Sequence, residues 1–250
     1  MELTGHTILI TGGGSGIGRG LAEALHIRGN QVIVAGRRQQ ALDAVTEANP
    51  GMANMRLDIA DPASIAAVAA RVVADFPALD VLVNCAGIQH PDDPSGPIDD
   101  SDLVSTVAIN LLGPIRLTSA LIGHLRGRPS AVIAHVSSML AYLPKTDIAV
   151  YSSTKAALHS FALSQRYALR DSAIQVLEIA PPYVQTDLLD GASDPRAMKL
   201  DDYVAQTMAA LEGDDPDILV PIARARRDNL GRTDSEAVVA FNDMMRQTRP

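Results

Sequence analysis

Only one cysteine, Cys85, occurs in the 250-residue chain. No intrachain disulfide and no cysteine-built zinc cluster can form, which suits a reducing cytoplasm. Positive charge is also short, with 21 Lys and Arg against 29 Asp and Glu, a net charge of -8 and a pI near 5.1. General affinity for nucleic acid or an anionic membrane is therefore not expected. No apolar run approaches the length of about 18 residues that a membrane-spanning helix needs. The opening residues Met1-Glu2-Leu3-Thr4-Gly5-His6 carry no positively charged leader region. A cytoplasmic protein without nucleic-acid or membrane partners is the expectation. Metal-ligand spacing is missing too: His6, His26, His90, His124, His135 and His159 are scattered, and no H-E-x-x-H or G-x-S-x-G context occurs. Metal-dependent and serine-hydrolase chemistry thus lack support. No linker, composition shift or internal repeat divides the chain, so a single domain over residues 1–250 is expected.

What is present is apolar material in a regular alternation. Hydrophobic residues make up 47% and charged residues 20%, enough for a sizeable core. Short apolar, β-branched runs at 7–10, 31–35, 54–57, 81–83, 131–136 and 175–179 predict strands covered on both faces. Segments of helical period at 17–28, 39–49, 63–75, 102–125 and 152–169 lie between them. Strand–helix alternation implies right-handed crossovers and a parallel sheet, so the predicted class is α/β, a doubly wound Rossmann-type domain. From 187 to about 217 periodicity weakens and Pro, Gly and Asp accumulate, which predicts a loop with short helices inserted beside a site. Acidic clusters at Asp92-Asp93, Asp99-Asp100-Asp102, Asp201-Asp202 and Asp214-Asp215 are read as solvated loops and helix N-termini, where carboxylates favour the dipole.

Four motifs carry chemistry. The first, Thr11-Gly12-Gly13-Gly14-Ser15-Gly16-Ile17-Gly18, follows the first strand and opens the first helix. Backbone N–H groups at a helix N-terminus hold a dinucleotide pyrophosphate there in a doubly wound fold. The second strand ends in Gly36-Arg37-Arg38, where a free ribose 2′-OH would be met by an acid. Two guanidinium forks suit a 2′-phosphate instead, so NADP is favoured over NAD. In Tyr151-Ser152-Ser153-Thr154-Lys155 the positions i and i+4 share a helix face. The Lys155 ammonium is then expected to favour ionisation of the Tyr151 phenol and fit it for proton transfer. Upstream, Ser137-Ser138 closes a strand at the edge where ligands bind in open sheets. Asn84 closes another strand in Asn84-Cys85-Ala86-Gly87, and Asn110 interrupts an apolar helix, where it either stitches helix to strand or orders a water chain. Cys85 reads as a small packed hydrophobe.

Taken together, TGGGSGIG, NCAG, Asn110, Ser138 and YSSTK resemble the short-chain dehydrogenase/reductase family, in family order and spacing over about 190 residues. The resemblance implies a nicotinamide-dependent oxidoreductase. Tyr151 would be the general acid/base, Lys155 would lower its pKa and hold the nicotinamide ribose, Ser138 would orient the substrate oxygen, and Asn110 would anchor a water relay. Gly12, Gly14, Ser15, Gly16, Ile17 and Gly18 would meet the pyrophosphate and Arg37 and Arg38 the 2′-phosphate. Asp58 and Ile59 would meet the adenine, Asn84, Ala86 and Gly87 the adenine side of the cofactor, and Pro181, Val184 and Thr186 the nicotinamide. Pro181-Pro182 departs from the family's Pro-Gly pair and NCAG from its NNAG. Gly36-Arg37-Arg38, the run 110–116, Ala180-Pro181-Pro182 and Thr186-Asp187-Leu188 look closer still to a bacterial branch labelled as acting in D-alanine esterification of teichoic acids.

A small carbonyl or alcohol substrate follows, with NADPH as the preferred cofactor. Two other readings remain open: a catalytically silent NADP(H)-binding regulator or scaffold, and a nucleotide-sugar epimerase, for which the chain lacks a sugar-binding domain. Small and apolar residues on more than one face of the segments 102–125 and 152–169 suggest packing against a second copy, as a homodimer or homotetramer.

Overall fold

The computed structural model describes residues 2–189, 194–228 and 234–247. Seven parallel strands form one sheet in the order β3-β2-β1-β4-β5-β6-β7. They are β1 Thr7–Thr11, β2 Gln31–Gly36, β3 Ala53–Arg56, β4 Val81–Asn84, β5 Ala131–Val136, β6 Ile174–Ile179 and β7 Asp217–Ile218. All six expected strands occur within a residue or so of their expected bounds. The seventh has only two residues, too short for any hydrophobic pattern to reveal.

Helices cover both faces. On one side α1 (Gly16–Ile27), α2 (Gln39–Ala48) and α7 (Leu200–Leu211) bury Leu21, Leu25, Leu42, Met208 and Leu211 on Ile8, Val32, Val34 and Val81. On the other, α3 (Pro62–Asp75), α4 (Asp100–Val107), α5 (Gly113–Arg126) and α6 (Ala149–Ala168) flank the sheet. There Ile65, Val72, Leu117, Leu121 and Leu125 pack on Leu9, Ile33, Leu82 and Ile133. Alternate residues of one strand thus serve opposite cores, as Ile8 and Leu9 do, which is why the strands read as continuous apolar runs. The α8 (Pro221–Asp228) and α9 (Asp234–Gln247) helices follow β7.

Three expectations are corrected. The segment after 187 is not mainly loop: α7 is a full twelve-residue helix, and Tyr203, Thr207, Met208 and Leu211 form its buried stripe. Asp201 and Asp202 occupy its first turn, where carboxylates favour the dipole. Part of the expected loop, 190–193, lies outside the described residues. The helix expected over 102–125 starts at Asp100 and is broken at 108–112 into a π turn around Asn110, between α4 and α5. Finally, Asp100–Arg126 is long and apolar enough to cross a membrane by length and composition, an 18-residue window within it having a mean hydropathy of 1.3. The burial of Leu117, Leu121 and Leu125 in the core accounts for that apolarity.

The strand order reverses between β1 and β4, and loops leaving their carboxyl ends diverge to opposite faces. The crevice between them is where open α/β sheets bind ligands.

Candidate active site

A cleft of about 620 Å³ opens along this carboxyl edge. Its floor is the glycine loop. Gly12 takes a φ of +70°, and a Cβ there would sit 2.9 Å from Ala86 Cα; a Cβ on Gly18 would lie 2.4 Å from Gly12 O. The glycines are therefore demanded by the fold of the loop itself, which brings the start of α1 against the end of β1. Thr11 secures the opposite wall, its Oγ1 accepting from the backbone N–H of Cys85 (3.0 Å) and of Ala86 (3.1 Å).

At one end of the cleft stand Gly36, Arg37, Arg38, Asp58 and Ile59. Arg38 donates to Ser15 Oγ at 2.9 Å, which holds its guanidinium beside the glycine loop. No acid occupies the end of β2.

At the other end β5 and α6 bring the reactive side chains together. Ser138, Tyr151 and Lys155 line the cleft with Gly87, Pro181, Val184 and Thr186. All three are buried, at 7%, 7% and 4% exposure. Lys155 Nζ lies 5.6 Å from the centre of the Tyr151 ring and donates to Val136 O at 2.8 Å. Ser138 Oγ accepts from Leu140 N at 3.1 Å, fixing the turn after β5. The start of α6 is capped from afar: both oxygens of Asp92 accept, at 2.9 Å each, from the N–H groups of Ala149 and Val150.

Electrostatically the arrangement departs from expectation. Burial pushes the Tyr151 phenol up to about 12, against an opposing hydrogen bond from Ser138. Burial also takes Lys155 down to about 8. In this structure the burial of each group is the leading cause of its shift, in place of the attraction expected between the two. Cys85 is pushed up to about 11 by burial, partly offset by Lys155, which fits a packed thiol rather than a nucleophile.

Asn110 is 1% exposed and lies beneath the cleft. Its Oδ1 accepts from Ile88 N (2.9 Å), and its Nδ2 donates to Ile88 O (2.8 Å) and Thr154 Oγ1 (3.3 Å). It stitches, therefore, but to the loop after β4 and to α6 rather than to a strand. Asn110 sits within the π turn at 108–112, an irregularity of a kind frequent at functional sites.

Asn84 departs from its expected place and does not line the cleft. In register opposite His135, its side chain turns to the α5 side and donates to Thr118 Oγ1 at 3.0 Å. The remaining expected cofactor residues, Gly12, Gly14, Ser15, Gly16, Ile17, Gly18, Ala86 and Gly87 among them, do line it. The backbone cradle, the guanidinium pair and the volume of the cleft fit a dinucleotide. Sequence reasoning missed Arg196, Arg226 and Phe241 on the rim, and Asp92. An Asp is a common cap, but this one sits 57 positions from its helix, so no local spacing signals it. Among the described residues no group of three or more His, Cys, Asp or Glu is placed to hold an ion.

Comparison with known proteins agrees with this geometry. The model of the short chain dehydrogenase family matches residues 6–197. An uncharacterised oxidoreductase, DltE, of Bacillus subtilis is 37% identical over 199 residues, covering 79% of each chain. A short chain dehydrogenase from Burkholderia cenocepacia in complex with NADP superposes with a TM-score of 0.84 over 100% of both chains at 23% identity. One from Burkholderia phymatum in complex with NAD gives 0.81 over 100% of this chain and 98% of that one, at 20% identity.

Proposed function

The chain belongs to the short-chain dehydrogenase family of oxidoreductases, and from that premise we propose that it interconverts a carbonyl compound and an alcohol with NADPH, using Tyr151 as general acid and base. The observation that carries the reading is the convergence of Ser138, Tyr151 and Lys155 on one wall of the cleft whose floor is the glycine loop.

A bound nicotinamide dinucleotide supplies the hydride. Gly12–Gly18 would hold its pyrophosphate through backbone N–H groups at the start of α1, and Arg37 and Arg38 its 2′-phosphate. Arg37 and Arg38 with no acid at the end of β2 support NADPH over NADH.

The chain's own residues then perform the proton work. Ser138 Oγ, fixed by the turn after β5, donates a hydrogen bond to the substrate oxygen and orients it. Tyr151 Oη gives that oxygen a proton as negative charge builds on it, and in the reverse direction takes the proton back. A phenol near 12 holds its proton firmly in the resting state and is well matched to an alkoxide-like oxygen. Lys155, brought near 8, can carry a positive charge close to neutral pH, and that charge stabilises the phenolate left behind. Leu140, Leu143, Ile148 and Phe241 add apolar surface to the lining of the cleft. The substrate is a small or medium carbonyl compound, and the protein acts in the cytoplasm as a homodimer or homotetramer.

The test is absorbance at 340 nm with NADPH and NADH in parallel over a panel of aldehydes, ketones and diketones. Consumption of NADPH, with NADH much slower, is the expected result. Tight NADPH binding without turnover on any member would favour a cofactor-sensing regulator instead.

A further inference from the structure

Behind the catalytic wall lies a buried charge that the proposed chemistry does not use. Glu178, on β6, is 1% exposed. Its carboxylate accepts from Ser137 Oγ, from Tyr142 OH at 3.2 Å and from His159 Nδ1 at 2.6 Å. Each donor is close in sequence to a proposed catalytic residue. Ser137 precedes Ser138 at the end of β5, and Tyr142 ends the short turn 139–141 that follows it. His159 sits on α6, one helical turn beyond Lys155 and two beyond Tyr151. The Tyr142 and His159 rings also meet edge to face, with centroids 4.7 Å apart.

We infer that Glu178 is a positioning residue for the catalytic wall: by accepting from Ser137, Tyr142 and His159 at once, it holds Ser138, in the turn after β5, against Tyr151 and Lys155 on α6. A buried carboxylate persists only where its oxygens are paired, so the three donors cannot drift independently. The network differs in kind from ordinary packing, because apolar contacts between β5 and α6 would tolerate a slide that three directional bonds to one carboxylate do not. This inference rests on the proposed roles of Ser138 and Tyr151.

The titration behaviour of the cluster supports it. His159 is raised above an ordinary histidine, first by its hydrogen bond to Glu178, although partial burial opposes this. Burial pushes Glu178 up, but the donors His159 and Ser137 more than offset it and leave it below the usual carboxylate range. Burial and the Glu178 charge hold the Tyr142 phenol protonated, as a donor. The charged and titratable groups facing His159 are Glu178 on β6, Asp217 on β7, Tyr142 on the turn and Arg166 on α6, with Arg227 of α8 beyond Tyr142. As the pH rises through the raised His159 value the imidazolium is lost and the clamp loosens, so turnover should fall on that limb.

Two measurements test this, one of them independent of turnover. In tyrosine- and histidine-labelled protein followed by NMR, Glu178→Gln should return His159 to an ordinary titration and also shift the Tyr151 ring-carbon and Ser138 amide signals. A purely local structural role would move His159 alone, and that result overturns the inference. In assays, Glu178→Gln should lower kcat about tenfold with carbonyl KM and NADPH affinity within about threefold. His159→Asn, which keeps a neutral donor, should recover most of the kcat lost in His159→Ala and leave on the alkaline side only the fall that Lys155, near 8, imposes. Equal kcat in His159→Ala and wild type would also overturn it. If the NMR coupling is present but no carbonyl compound is reduced by the wild type, the positioning role stands and the reductase reading fails.

Discussion

Lys155 reaches past the phenol of Tyr151, its Nζ 5.6 Å from the ring centre, and donates instead to Val136 O at 2.8 Å. One side chain therefore ties α6 to the end of β5 while bringing its charge beside the proposed proton-transfer group. Substitution of Lys155 by Met should remove both functions, lowering turnover by at least a hundredfold and leaving Val136 O unpaired. Parallel kcat measurement and thermal melting check this, the melt falling by an amount consistent with about 1–3 kcal/mol for an unsatisfied buried acceptor.

Tyr151→Phe removes only the phenolic oxygen. Turnover should be abolished while NADPH affinity, measured by fluorescence titration, stays within a few-fold of wild type. Retained turnover would show that the proton comes from elsewhere.

In the proposed function Arg37 and Arg38 read the 2′-phosphate of NADPH. Arg37→Asp should weaken NADPH far more than NADH, since the charge change acts on the 2′-phosphate alone. Equal losses in the two dissociation constants would show that Arg37 does not read the phosphate.

Asp92 caps α6 across the fold, accepting from Ala149 N and Val150 N. Asp92→Ala should cost about 1 kcal/mol of stability, seen in denaturant unfolding. Because α6 carries Tyr151 and Lys155, kcat should fall as well; an unchanged kcat with lowered stability would mean that α6 keeps its place without the cap.

The Glu178–His159 pair makes stability pH-dependent in two directions. Glu178 lies below its ordinary value of 4.5 when folded, so its contribution is present above about 4.5 and lost as the pH falls through the lower folded value. His159 lies above its ordinary 6.5, so its contribution is complete below 6.5 and lost as the pH rises through the raised folded value. The pair therefore stabilises most between roughly 4.5 and 6.5, and melting temperature against pH should show this bulge shrinking in Glu178→Gln.

Much of this protein was written locally. The six longer strands, the glycine loop and the Tyr151–Lys155 pair are legible because each depends on neighbours within a few residues: alternating burial, a turn that only glycine fits, a helix face. The α7 stripe of Tyr203, Thr207, Met208 and Leu211 follows the same rule, yet was obscured by the Pro, Gly and Asp residues around it. The break at Asn110 was legible as a polar intrusion but not as a π turn, since its partner Ile88 is 22 positions away.

What the sequence determined by itself was the alternation, the glycine loop, the cationic end of β2 and the candidate proton-transfer residues, all set by short-range sterics and spacing. Tertiary structure alone decided that Asn84 turns away from the cleft, that Asp92 caps α6, that Glu178 gathers Ser137, Tyr142 and His159, and that Tyr151 and Lys155 are shifted by burial rather than by each other. These outcomes depend on which distant segments the sheet order brings together and on how much water is left between them.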